Sequence, residues 1–175
     1  VGLDREWEQQ GATRDEIEMV GFDWDYVPYI DCGGICGAWG TPEPQILEET
    51  AEHVILRDYL GRRSMLVKGT ATLPLPLEFP VRTMDDWLRL KPYFLFSEAR
   101  IDAEAVERAR RAQHEGVLVR AEIPGGWDMA RELMGEEQAC LAYYEQPELM
   151  QDILDTLRET SVRVLERLTQ RVTSD

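Results

Sequence analysis

Histidine and cysteine are scarce in this chain, and their scarcity narrows the chemistry before any motif is sought. There are two histidines, His53 and His114, and three cysteines, Cys32, Cys36 and Cys140, in 175 residues. A small, odd number of cysteines gives no disulfide framework and fits a reducing compartment. Cys32 and Cys36 stand at C-x3-C spacing, but zinc takes four ligands and nothing nearby supplies the others in a recognised pattern, so no metal site is assigned. Basic residues are also few. With 19 Lys and Arg against 34 Asp and Glu the net charge is −15, which repels phosphate backbones and anionic membrane surfaces and removes nucleic acid and membranes from the expected partners. No apolar run approaches ~18 residues and no basic leader precedes an apolar stretch, so neither a membrane span nor a signal peptide is expected. The expectation is a cytoplasmic protein.

What the chain does contain is an apolar content of 43%, enough for one domain with its own core. It opens on Val1 rather than Met and stops just beyond a long helical pattern, so it is expected to be a fragment of a larger protein. The run from Val117 to Met150 organises the rest. Val117 to Ile123 is short, β-branched and bounded by Gly116 and by Pro124-Gly125-Gly126, which predicts a largely buried strand. Asp128 is expected to cap the helix that follows. A glycine turn between strand and helix lies at the C-terminal end of the strand, the edge on which α/β folds build their sites.

Other elements carry their own signals. Thr13 with Glu16 forms a capping box for a short helix ending at Gly21. Residues 22–30 alternate acidic and aromatic or apolar side chains and predict a strand with one buried face. His53–Asp58 and Ser64–Gly69 flank Tyr59-Leu60-Gly61-Arg62 and predict a β-hairpin with Gly61 at the left-handed position. Leu73 to Pro80 holds three prolines and is expected to be extended linker. Thr83 and Asp86 cap a helix that Pro92 stops, and Asp102 caps another that Gly116 ends. Pro147 to Val172 keeps a helical period; at 26 residues it would be ~39 Å long, and a bend or break near Ser161 is expected.

Among candidate chemical groups, Glu122 stands out. A carboxylate near the end of a buried strand is costly unless it faces a cavity or an arginine, with Arg120 and Arg131 as the available partners. Asp23 and Asp25 share one face of the predicted strand and could act as base and orienter or hold a cation, although such faces are often only solvated. The glycine-rich loop Cys32–Gly40 lacks the Lys-Ser/Thr of a phosphate loop, so nucleotide binding is not expected there. His53 starts a hairpin strand and is read as structural, and His114 complements a helix dipole.

Several short pieces fall in a shared order. They are Trp7 to Gly11, Asp58 to Gly61, Pro80-Val81 with Asp86-Trp87, Gly125-Gly126-Trp127, Leu133-Met134-Gly135-Glu136 and Gln146-Pro147-Glu148-Leu149. In this order they resemble the uroporphyrinogen decarboxylase superfamily, which includes porphyrinogen decarboxylases and methyltransferases that serve corrinoid proteins. The resemblance covers the family's N-terminal half. It implies an α/β fold: a partial (β/α)8 TIM barrel, here with an added β-hairpin, as a single domain over 1–175. A full barrel typically needs ~250 residues, so a second barrel half or a homodimer partner is expected. The resemblance also implies a small-molecule substrate, with Gly125, Gly126 and Trp127 at the start of its pocket; Phe22-Asp23 is similar in type to the step that marks an acid facing the pyrrole nitrogens, but its surroundings do not match the family's and that role is not assigned to it. Decarboxylation needs a positioned acid, and Asp23 and Glu122 are the candidate catalytic residues.

Two departures limit the family reading. The arginine-rich run that binds a polycarboxylate substrate is missing, and the chain is itself acidic. In the methyltransferase branch the resemblance implies zinc and a corrinoid partner, but the zinc ligands belong to the half that is absent here, so this segment is expected to hold no cofactor. The expected function is decarboxylation of a porphyrinogen-like carboxylate, or methyl transfer to a corrinoid protein; the alternative is a non-catalytic binding or assembly module that keeps the fold.

Overall fold

A computed structural model describes residues 3–18, 21, 27–71 and 73–172. The chain is a mixed α/β protein in which a long C-terminal helix joins two apolar clusters. The short helices α1 (Leu3–Gln9) and α2 (Arg14–Ile17) come first, and the Thr13–Glu16 capping box is present. Most of the strand predicted over 22–30 lies outside the described residues. Its end is β1 (Tyr29–Asp31).

The hairpin prediction was right but too small. Strands β2 (Gln45–Glu49), β3 (His53–Arg57), β4 (Arg63–Val67) and β5 (Leu75–Glu78) form an antiparallel sheet in that order. Gly61 takes φ +92° in the turn between β3 and β4. The segment expected to be linker is thus in part a strand. Pro74 and Pro76 are tolerated because β5 is an edge, where a missing N–H breaks no ladder to a further strand. The Asp58 carboxylate fixes the turn, accepting from the backbone N–H of Leu60 (3.0 Å) and Arg62 (2.9 Å) and from Arg62 Nε (2.9 Å).

Helix α3 (Met84–Leu90) begins at the predicted Thr83–Asp86 box, and α4 (Ala103–His114) begins at the predicted Asp102 cap. Two 3-10 turns, Lys91–Phe94 and Glu98–Arg100, connect them. Strand β6 (Leu118–Arg120) then pairs in parallel with β1. It is shorter and less buried than the sequence suggested, with Leu118 58% exposed and Ile123 56% exposed. Among the described residues β6 has β1 as its one neighbour, so its other edge and much of its apolar surface stay uncovered. Glu122 accordingly lies beyond the strand rather than inside a buried one.

Helix α5 (Gly126–Met134) is capped by Gly125, not by Asp128, which sits in the first turn. Helices α6 (Glu136–Glu145) and α7 (Pro147–Thr169) follow. The break expected near Ser161 is absent: α7 is one continuous helix through that residue. No proline or glycine interrupts α7, and its small polar residues let other segments approach: Thr160 Oγ1 donates to the Phe94 carbonyl at 2.6 Å. The N-terminal half of α7 closes a cluster built on Trp87, Leu133, Met150 and Ile153. Its C-terminal half closes a second, with Cys32, Cys36, Val106, Val164 and Leu168.

Candidate functional site

The two parallel strands end side by side, with Asp31 opposite Arg120 in the register. At that edge the Arg120 guanidinium gathers two carboxylates. Its Nε donates to Asp31 Oδ1 at 3.0 Å, and Nη2 lies 3.0 Å from Asp31 Oδ1 and 3.2 Å from Glu122 Oε1. The same guanidinium stands 4.3 Å from the centroid of the Tyr29 ring. The hydrogen bond to Asp31 is the main cause that raises the Arg120 pKa above its ordinary value. All three side chains line a cleft.

The cleft has two lobes that share Gly34, Ile35 and Glu122. One, of about 470 Å³, also holds Asp31, Arg120, Trp39 and the edge of Arg100. The other, of about 570 Å³, is lined by Tyr59, Ala38, Ile123 and Met129 besides Glu122. The turn pinned by Asp58 therefore forms one wall of the second lobe.

The floor is the glycine-rich loop, and its composition has a packing reason. Gly33 has φ +83°, and a Cβ there would stand 2.7 Å from the Val106 backbone nitrogen. At Gly34 a Cβ would stand 2.6 Å from Leu168 Cδ1. The loop can thus lie directly on α4 and α7 only without side chains.

Arg100 then ties the loop down. It is 1% exposed, and no ion pair links it to a carboxylate among the described residues. It donates instead to four carbonyls: Leu95 (2.8 Å, from Nε), Ile35 (3.0 Å) and Gly37 (2.6 Å) from Nη1, and Tyr93 (2.5 Å) from Nη2. Burial lowers its pKa, and the nearby Cys36 opposes that shift. Burial in turn pushes the Cys36 thiol up, against the hydrogen bond with Ser161. Cys32 and Cys36 are both buried and free, while Cys140 is exposed.

Of the residues singled out in the sequence, Glu122 is in the cleft, paired with Arg120 as one of the two partners expected for it. Asp23 and Asp25 lie outside the described residues. Gly125 and Gly126 start α5, and neither they nor Trp127 belong to the lining of these two lobes. A Cβ on Gly126 would stand 2.7 Å from Leu154 Cδ2, so this glycine permits α5 to meet α7. The Trp127 ring stacks on Tyr143 of α6 with centroids 6.5 Å apart. His53 bridges Thr50 and Glu48 at 3.2 Å each, in keeping with a structural role. No group of three or more His, Cys, Asp or Glu suited to a metal ion occurs among the described residues.

Asp31, Arg100 and Tyr59 were missed as site residues. Asp31 had a usable signal, an acid immediately before the glycine loop at the end of an apolar alternation. Arg100 had none, because its partners are backbone carbonyls, two of them in a loop more than 60 residues away. No protein-family model, curated protein or solved structure matches the chain.

Proposed function

We propose that the chain is the N-terminal part of a (β/α)8 barrel enzyme related to the uroporphyrinogen decarboxylase superfamily, acting on a small molecule in the cleft at the ends of β1 and β6. The observation that carries this reading is the meeting of two carboxylates, Asp31 and Glu122, on one guanidinium at the C-terminal edge of a parallel strand pair. That edge is where barrels of this kind do their chemistry. Among the described residues one edge of β6 is unpaired, and with the exposed Leu118 and, beyond the strand, Ile123 it fits a sheet that continues, in a second barrel half or a partner subunit. The resemblance motifs also fall at junctions that position the cleft: the Asp58–Gly61 turn forms its wall, and Gly125-Gly126 lets α5 follow β6.

In decarboxylation the bond between the substrate and its carboxylate breaks, CO2 leaves, and the bonding electrons take up a proton. Asp31 and Glu122, both held by Arg120, can relay a proton from solvent to the carbon left behind, and the third acid of the cleft, Asp102, is engaged as the N-cap of α4. For the methyl-transfer branch, the family's zinc needs a histidine and two cysteines. Cys32 and Cys36 are buried, and no third donor joins them among the described residues, so no step is derived through a metal. A non-catalytic binding module is the second reading. It is favoured by the fact that both carboxylates already share one ion-pair partner, Arg120.

The test is CO2 release from porphyrinogen carboxylates by the full-length gene product, beside Asp31→Asn and Glu122→Gln. Turnover lost in either variant with circular dichroism unchanged supports the enzyme reading. Wild-type turnover in both variants refutes this assignment of the acids. Absence of turnover in the parent protein selects the binding module.

A further inference from the structure

The two lobes of the cleft differ in charge, and the difference specifies a ligand. No lysine, arginine or histidine lines the lobe beneath Tyr59. Its one carboxylate is Glu122, and the remaining wall is apolar or aromatic, from Ile35, Ala38, Ile123, Met129 and Tyr59. The Glu122 side chain is 78% exposed, and its one ion pair among the described residues is to Arg120, which lines the other lobe. A cation in this lobe therefore meets Glu122 with no basic side chain in the lobe's own lining.

From this we infer that the lobe under Tyr59 is a subsite for an organic monocation, a methylated ammonium group carried on a compact apolar body. Each wall has a part in this. The carboxylate supplies the counter-charge, the Tyr59 ring supplies a π face that attracts ammonium groups, and the apolar residues accept the methyl groups. The chain's net charge of −15 favours the approach of a cation and disfavours that of an anion. The volume of about 570 Å³ lies within the range of small-molecule sites.

The wall is also preorganised. Leu60 is buried in the first apolar cluster, Asp58 holds the turn, and Arg62 makes an ion pair with Glu132 of α5. The turn that carries Tyr59 is thus held in place without the ligand, and binding costs little ordering of the backbone.

The inference rests on the cleft being a small-molecule site and adds the chemical class. It is tested by titrating the chain with benzyltrimethylammonium, followed by ligand-observed magnetic resonance. The comparators are an uncharged near-isostere, 2-methyl-1-phenyl-2-propanol, in which C–OH stands for N+–CH3, and phenylacetate. The cation is expected to bind about fivefold to tenfold more tightly than the isostere, with the preference reduced by added salt. Glu122→Gln should remove most of that preference. Tyr59→Leu should weaken the cation more than the isostere. Equal binding of the isostere, or tighter binding of phenylacetate, overturns the cation subsite and leaves the cleft as a binding site. Binding of none of the three overturns both. Both substituted residues are exposed and outside the core, and circular dichroism of each variant confirms that it is folded.

Discussion

Replacing Arg100 with methionine tests whether the cleft floor is held as described. Methionine keeps most of the apolar stem and removes all four donated hydrogen bonds, to the carbonyls of Leu95, Ile35, Gly37 and Tyr93. A buried acceptor left without a partner costs about 1–3 kcal/mol. Leu95 and Ile35 belong to exposed residues and water can reach them, whereas Gly37 and Tyr93 are half-buried. With about 1 kcal/mol for each of the first two and about 2 for each of the others, the loss is about 6 kcal/mol. Against it stands relief from burying a guanidinium without a carboxylate, which offsets about half after relaxation. The expected net destabilisation is about 3 kcal/mol, or a fall in Tm of about 6–12 °C for a chain of this size.

Urea unfolding followed by far-ultraviolet circular dichroism measures it, and Arg100→Lys is the decisive companion. Lysine keeps the buried charge, but its single ammonium cannot span carbonyls contributed by two separate segments. It should therefore rescue little. A methionine variant within about 1 kcal/mol of the parent refutes the account. Full rescue by lysine would show that charge, rather than the planar fork, holds the loop.

Two further outcomes follow from the same geometry. Gly33→Ala should cost about 2–3 kcal/mol in the same unfolding assay, because the backbone is at φ +83° and the new Cβ meets the Val106 nitrogen at 2.7 Å; Gly37→Ala, with open space around it, should be neutral. Asp152 tests the acid limb of stability. Partial burial works against its ionisation, but hydrogen bonds from Lys91 Nζ and Trp87 Nε1 prevail and hold its pKa below the ordinary value. A depressed carboxylate pKa contributes stability above the unfolded value of about 3.9, and that contribution is lost as pH falls through the lower folded value. Asp152→Asn should flatten this part of the pH–stability curve, and an unchanged slope there would show that the pair contributes nothing.

Local signals carried much of this fold. Thr13, Thr83 and Asp102 were legible as caps because a capping box or N-cap is written within four residues, and Gly61 because a tight turn needs positive φ. The errors arose where distant context decides. Leu75–Glu78 became a strand because β4 offers it an edge, which proline content alone cannot reveal. Asp128 lost the cap to Gly125 because the helix starts earlier than the acid suggested. The unbroken course of α7 follows from partners on both of its halves, not from its length. The site divided in the same way. Glu122 with Arg120 lies within three residues of sequence and could be read, whereas Asp31 meets them only through strand pairing, and Tyr59 reaches the cleft only because its turn is anchored to α5.

The two arginines of the cleft show how stability and chemistry are kept apart. Arg100 gives its hydrogen bonds to the backbone and lies almost wholly out of solvent, so it shapes the floor and has little left to offer a ligand. Arg120 is partly exposed, and its partners are side chains that a ligand can reach. Exposed ion pairs contribute little to folding, so Arg120→Gln should leave the unfolding transition nearly unchanged while freeing Asp31 and Glu122 in the cleft. The freed carboxylates would strengthen the attraction for a cation beneath Tyr59. The same substitution would remove the group that holds both acids in place. If the cleft is catalytic, tighter cation binding should therefore accompany weaker turnover, and a simple binding module would show only the first effect.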